Sequence, residues 1–143
     1  MTVKSVLARK GTDVATIEPT ATLAGAVKML AERRIGALVI TGAEGRVIGI
    51  LSERDIVRAL AQSGADALQH PVSDVMTRKV VTCSERDTIA ELMEQMTHGK
   101  FRHVPVVEQD RLVGIISIGD VVKRRVEELE HHEAALEDYI RTA

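Results

Sequence analysis

The sequence predicts an α+β protein: two similar β-α-β-β-α units packed sheet against sheet, followed by a long C-terminal helix. Three observations carry this. First, Val47-Ile48-Gly49-Ile50-Leu51-Ser52-Glu53-Arg54-Asp55-Ile56-Val57 recurs as Leu112-Val113-Gly114-Ile115-Ile116-Ser117-Ile118-Gly119-Asp120-Val121-Val122, so that Gly, Ser and Asp coincide with Gly, Ser and Asp. Second, the apolar residues upstream follow the same order of extended and helical spacing in both copies. Third, apolar residues make up 45% of the 143 residues but aromatics only 1%, which calls for an aliphatic core between thin sheets.

Each unit opens with a short extended segment, residues 14–17 and 80–83, beginning at Val14 and Val80. A helix follows. Thr22 is placed to cap it, with Leu23, Ala26, Val27 and Leu30 on one face; in the second copy Thr88 caps and Ile89, Leu92, Met93 and Met96 face inward. Gly36 and Gly99 lie near the helix ends, where a left-handed residue is expected. Two strands come next, residues 37–41 and 46–51, about a Gly42-Ala43-Glu44-Gly45 turn. Their counterparts are residues 104–107 and 111–116, about Glu108-Gln109-Asp110. Ser52 and Ser117 then start the second helices with an acid three residues on, the spacing of a capping box. Gly49 and Gly114 suggest close approach of a ligand or strand to the backbone.

One such unit is marginal in size and two together are adequate. The chain divides into a first unit (1–62), a linker (63–73), a second unit (74–125) and a helical extension (126–143). Short helices are expected at Val3-Lys4-Ser5-Val6-Leu7, opening the first unit, and at Pro71-Val72-Ser73-Asp74-Val75-Met76, opening the second. Residues 120–140 read as one helix, with Val122, Leu129 and Leu136 seven apart and Val126, Glu133 and Ile140 likewise. That broken, two-heptad seam is shorter than a coiled coil needs and leaves open both a homodimer and a helix folded back on its own module.

Composition excludes several classes. No stretch approaches the ~20 apolar residues of a membrane span, and the first residues lack a signal-peptide pattern. One cysteine, Cys83, rules out a disulfide scaffold and points to the cytoplasm; it aligns with Ile17 and reads as a core residue. A net charge of −2 and the scarcity of aromatics argue against nucleic acid. No Ser-His-Asp set, zinc spacing or phosphate loop is present, so neither an enzyme nor a metal is expected.

The doubled apolar-apolar-Gly-apolar-apolar-Ser-x-x-Asp motif, each copy after the same helix-strand-strand pattern, resembles the cystathionine-β-synthase (CBS) domain, and the tandem resembles a Bateman module. The resemblance implies a pseudo-twofold pair with clefts between the units that bind adenosine derivatives: AMP or ATP first, ADP, NAD and S-adenosylmethionine as further candidates. It implies that Asp55 and Asp120 hold ribose hydroxyls, and that Ser52 and Ser117 with nearby basic residues meet phosphate. Lys100, Arg102 and His103 cluster on the second copy only, and Arg54 sits inside the first motif. Arg102 and His103 are the expected phosphate end of the cleft, and Val14 and Val80 complete the ligand-binding set. With no ring to stack on, adenine is expected against aliphatic walls. The implied role is a stand-alone sensor of adenine nucleotides that passes its state to an effector protein by a shift between conformations. The contrasting reading is a structural or oligomeric adaptor with empty clefts.

Overall fold

The computed structural model describes residues 1–142. Its elements run α1 (Val3–Lys10), β1 (Thr16–Ile17), α2 (Leu23–Arg33), β2 (Ala37–Thr41), β3 (Val47–Ser52), α3 (Glu53–Ser63), α4 (Val72–Val75), α5 (Ile89–Gly99), β4 (His103–Glu108), β5 (Arg111–Ser117) and α6 (Ile118–Thr142), with 3₁₀ turns at Ala43–Gly45 and Gly64–Gln69. This is the expected α+β pair with its long C-terminal helix.

The repeat extends to fine detail. Thr22 and Thr88 both accept a backbone N–H in the first turn of their helices, from Gly25 and Glu91. The hairpins β2–β3 and β4–β5 are both antiparallel, and each slips register at the same point of the repeat, between Ile40 and Thr41 and between Val106 and Val107. One strand departs from the prediction. β1 pairs in parallel with β2, helped by a bond from Val39 N to Ala15 O, but the counterpart at 80–83 shrinks to a single bridge between Cys83 and Val106. Pro105 occupies the position of Val39. Lacking an N–H, it cannot make the bond that would extend the ladder past Cys83 toward Val80.

The glycines also differ from expectation. The left-handed residues that end α2 and α5 are Arg34 (φ 55) and Lys100 (φ 57), not Gly36 and Gly99. Gly36 and Gly99 instead leave room for the rings of His103 and Phe101, which lie over their α-carbons.

The core divides into two clusters. Leu23, Ala26, Leu38, Ile40 and Leu51 of the first unit pack with Ala67, Val72 and Met76. Ile89, Leu92, Met96, Val104 and Ile116 of the second pack with Val3, Val6 and Leu7. Both short helices form as expected, but each closes the other unit's core. Backbone bonds tie down the exchange: Val3 N to Asp87 O (2.8 Å) and Lys4 N to Glu85 O (2.9 Å) on one side, Val72 N to Ala21 O (2.8 Å) and Leu23 N to His70 O (2.9 Å) on the other. Gly49 and Gly114 explain the fit. A Cβ on Gly114 would stand 2.7 Å from Leu7 Cδ2, and one on Gly49 would overlap Met76. The close approach read from these glycines is made by the exchanged helices, and the reciprocity gives the pair its pseudo-twofold character.

Candidate functional site

Both Ser-x-x-Asp motifs build the same cap. Ser52 N donates to Asp55 Oδ2 (2.9 Å) and Ser117 N to Asp120 Oδ2 (2.9 Å), while each Ser Oγ accepts the N–H of its Asp. The surroundings of the two acids differ. Asp55 is buried, and its second oxygen, Oδ1, accepts the Thr77 hydroxyl at 2.9 Å. Asp120 is half-buried, and Lys10 Nζ donates to its Oδ2 at 2.6 Å and to Ile115 O at 2.9 Å.

Lys10 stands at the rim of a cavity of about 660 Å³ between the units. Its walls come from Asp13, Val14 and Ala15 before β1, from Arg33, Arg34, Ile35, Gly36 and Ala37 between α2 and β2, and from His103, Ile115 and Ser117 of the second unit. Two features of the sequence open it. Gly36 has no side chain, so the His103 ring lies 3.3 Å from where a Cβ would be. Ser117 ends β5 and starts α6, which brings the start of that helix to the cavity wall, with the Ile118 and Asp120 N–H groups already bonded to Arg102 O and Ser117 Oγ. Lys10, Arg33 and Arg34 outnumber Asp13 there, and Val14, Ala15, Ile35 and Ile115 supply aliphatic surface.

The structure therefore gathers Val14, His103 and Ser117 at one cleft, with Asp120 beside it through its bonds to Lys10 and Ser117. Ser52 and Asp55 are outside its lining, Ser52 behind the wall residue Ala37 with which it pairs and Asp55 bonded to Thr77. Arg54 is exposed and donates to Lys100 O at 3.1 Å, while the Lys100 side chain faces solvent. Arg102 is exposed, and its carbonyl accepts Ile118 N at 2.7 Å. Val80 is half-buried beyond Thr77. Lys10, Asp13, Arg33 and Arg34 were not singled out by sequence; only the Arg33-Arg34 doublet at a helix end carried a signal. Among the described residues no group of three or more His, Cys, Asp or Glu could hold a metal ion. Cys83 is buried and its thiol is pushed up to about 12, by burial first and then by Asp87 and Glu108.

Burial also lowers His103 below the ordinary imidazole value, with Lys10 and Arg102 acting the same way against Glu53 and Asp120. Above about pH 6.5 folded and unfolded chains both hold it neutral. As the pH falls from there toward the lowered folded value, the unfolded chain takes the proton first and stability declines. Melting temperatures between pH 7.5 and 5 should fall in the wild type and fall less in His103→Gln; equal slopes would remove the imidazole as the cause.

Comparison with known proteins places this architecture. The CBS-domain family model matches twice, over residues 3–62 and 72–127. The chain belongs to the CBS-domain family. Among curated relatives, the CBS domain-containing protein YhcV of Bacillus subtilis is 32% identical over 110 residues, covering 77% of each chain. The mitochondrial CBSX3 of Arabidopsis thaliana is 33% identical, and there the chain spans 60% of the relative's length. Among solved structures, the CBS-domain protein ATU1752 from Agrobacterium tumefaciens superposes with a TM-score of 0.85 at 53% identity, over 87% of this chain and 99% of that one. Two further CBS proteins were solved with ligands. PAE2072 from Pyrobaculum aerophilum holds AMP (TM-score 0.75, 30% identity, 84% and 89% covered). The CBS pair of MJ0100 holds 5′-methylthioadenosine and S-adenosylmethionine (TM-score 0.80, 27% identity, 90% and 98% covered). No helix among the described residues is long and apolar enough to cross a membrane.

Proposed function

We propose that this CBS pair is a regulatory module that senses a phosphorylated adenosine, AMP first, in the cleft at Asp120. The observation that carries the reading is the joining of Ser117 and Asp120, at the start of α6, with a cavity whose other side carries Arg33 and Arg34. A carboxylate suits a vicinal diol, since each hydroxyl can donate to it. Guanidinium groups suit phosphate oxygens, and Val14, Ala15, Ile35 and Ile115 offer the base an apolar slot. AMP in PAE2072 supports the choice; ATP and NAD are the next candidates, and no metal or catalytic step is invoked.

Because the cavity walls come from both units, a ligand that bridges them stabilises one relative orientation, which an effector protein reads. At the other locus Thr77 occupies Asp55, so the vestigial reading applies to that half of the pair. Calorimetric titration of the chain with AMP, ATP and NAD tests the proposal. One site for at least one of them is expected, and no binding of any of the three overturns it.

The second part of the reading is a homodimer through α6. Val122, Val126, Leu129, Leu136 and Ile140 are 45–67% exposed along one stripe. In a parallel pair in register, Arg125 would meet the partner's Glu130 and His132 the partner's Glu137, attractive at both flanks of the seam. Glu133 interrupts the stripe. Leu136→Glu should give a monomer in sedimentation velocity and Glu133→Leu a tighter dimer. A Leu136→Glu protein that remains dimeric places the interface elsewhere.

A further inference from the structure

We infer that Lys10 is the residue by which the Asp120 cleft selects an anionic adenosyl ligand over a neutral one, acting as a displaceable cap on the carboxylate. The inference rests on the nucleotide reading above and adds to it a residue from outside the repeated motif.

Lys10 is the last residue of α1. The helix is anchored on the second unit by Val3, Val6 and Leu7, with Leu7 seated over Gly114. The next residue along β5 is Ile115, whose carbonyl accepts Lys10 Nζ at 2.9 Å. The same ammonium reaches Asp120 Oδ2 at 2.6 Å, on the oxygen that already accepts Ser117 N and Ser117 Oγ. Three donors thus converge on one oxygen, and only the lysine among them can move. The serine groups are fixed by the helix cap, whereas the lysine stem is four carbons long and a quarter of the side chain is exposed. The contact also holds the carboxylate charged: burial alone would raise Asp120, but the bonds from Lys10 and Ser117 pull it below the ordinary carboxylate value.

A ribose diol that takes both oxygens of Asp120 must compete with this ammonium at Oδ2. A neutral nucleoside that displaces it gives nothing in exchange, because a separated ion pair leaves an ammonium without its carboxylate in a cavity that Arg33 and Arg34 also line. A ligand that carries phosphate on the same ribose brings a new acceptor into the swing of the side chain, so the ammonium passes from carboxylate to phosphate and stays paired. The cap therefore penalises neutral ligands and favours anionic ones. The repeat does not reproduce it: at the other acid the third donor is Thr77, a hydroxyl without charge.

The test is calorimetric titration of wild type, Lys10→Met and Lys10→Arg with AMP and with adenosine. Methionine keeps the apolar stem and removes the charge. In Lys10→Met we expect adenosine to bind about threefold more tightly and AMP about tenfold more weakly, so that discrimination collapses by about thirtyfold; Lys10→Arg should retain most of it. Parallel changes for both ligands, or none, overturn the inference. A wild type that binds AMP and adenosine equally well overturns it too, while leaving the nucleotide reading intact. A wild type that binds neither overturns that reading and this inference together. A salt titration of the wild type needs no variant: AMP affinity should fall with ionic strength while adenosine affinity does not, and equal salt dependence counts against the cap.

Discussion

Asp120→Ala should weaken AMP at least about tenfold, a loss of roughly 1.4 kcal/mol, while Asp55→Ala should leave AMP within about twofold and cost more stability. The two acids occupy equivalent positions of the repeat and make the same cap, so sequence treats them alike. Their second partners separate them. Asp55 is 9% exposed, with Ser52 and Thr77 donors on its two oxygens. Removing it deletes the acid of the capping box, worth roughly 0.3–1.5 kcal/mol, and the hydrogen bond from the exposed Thr77, a further roughly 0.5–1.5 kcal/mol. A fall in melting temperature of roughly 3–12 °C follows. Asp120→Ala loses the same half of its capping box and a partly exposed bond to Lys10, which is worth at most about 1 kcal/mol, but it removes the carboxylate beside the cavity. Thermal melts and AMP titrations of the two variants check both halves. Equal loss of AMP affinity in both would show that the Asp55 locus also takes ligand.

Val6→Asp should loosen the second unit rather than the first, although it lies in the opening residues of the chain. Val6 is fully buried in the cluster formed by α5, β4 and β5. A carboxylate there has no partner, and the cost exceeds roughly 4 kcal/mol unless the helix leaves its seat. Hydrogen exchange read by mass spectrometry should show protection falling first in β4, β5 and α5, with β2 and β3 retained. Val72→Asp should give the mirror result, since Val72 closes the first cluster. Loss confined to the first unit in Val6→Asp would refute the exchange. The same docking carries Lys10 to Ile115 and Asp120, so Val6→Asp should also impair AMP binding.

Much of this was legible because it is local. Thr22, Thr88, Ser52 and Ser117 cap the helices that their spacing predicts, since a cap needs only its own residue and the next three. The strands 37–41 and 111–117 follow from apolar runs bounded by turn residues. What failed depended on neighbours distant in sequence. The strand at Val80 was lost to Pro105 across the sheet. The left-handed ends fell to Arg34 and Lys100, where each chain leaves its helix, while Gly36 and Gly99 were needed to admit rings from the following strand. A left-handed residue that is not glycine costs about 1–2 kcal/mol, which is tolerable beside the overlap that a Cβ at Gly99 would create with Phe101.

By itself the sequence determined a duplicated α+β unit, its aliphatic core, its helix caps and the two acids that mark its candidate clefts, because these rest on periodicity and on contacts within a few residues. Only the tertiary structure decided that the short helices trade places, that Thr77 closes over one acid and Lys10 over the other, and that Arg33, Arg34 and His103 share a cavity while Lys100 and Arg102 face water. The physical reason is the exchange. The residue that completes each site arrives on a segment packed against the other half of the molecule, so its position follows from how two cores fill and not from any spacing along the chain.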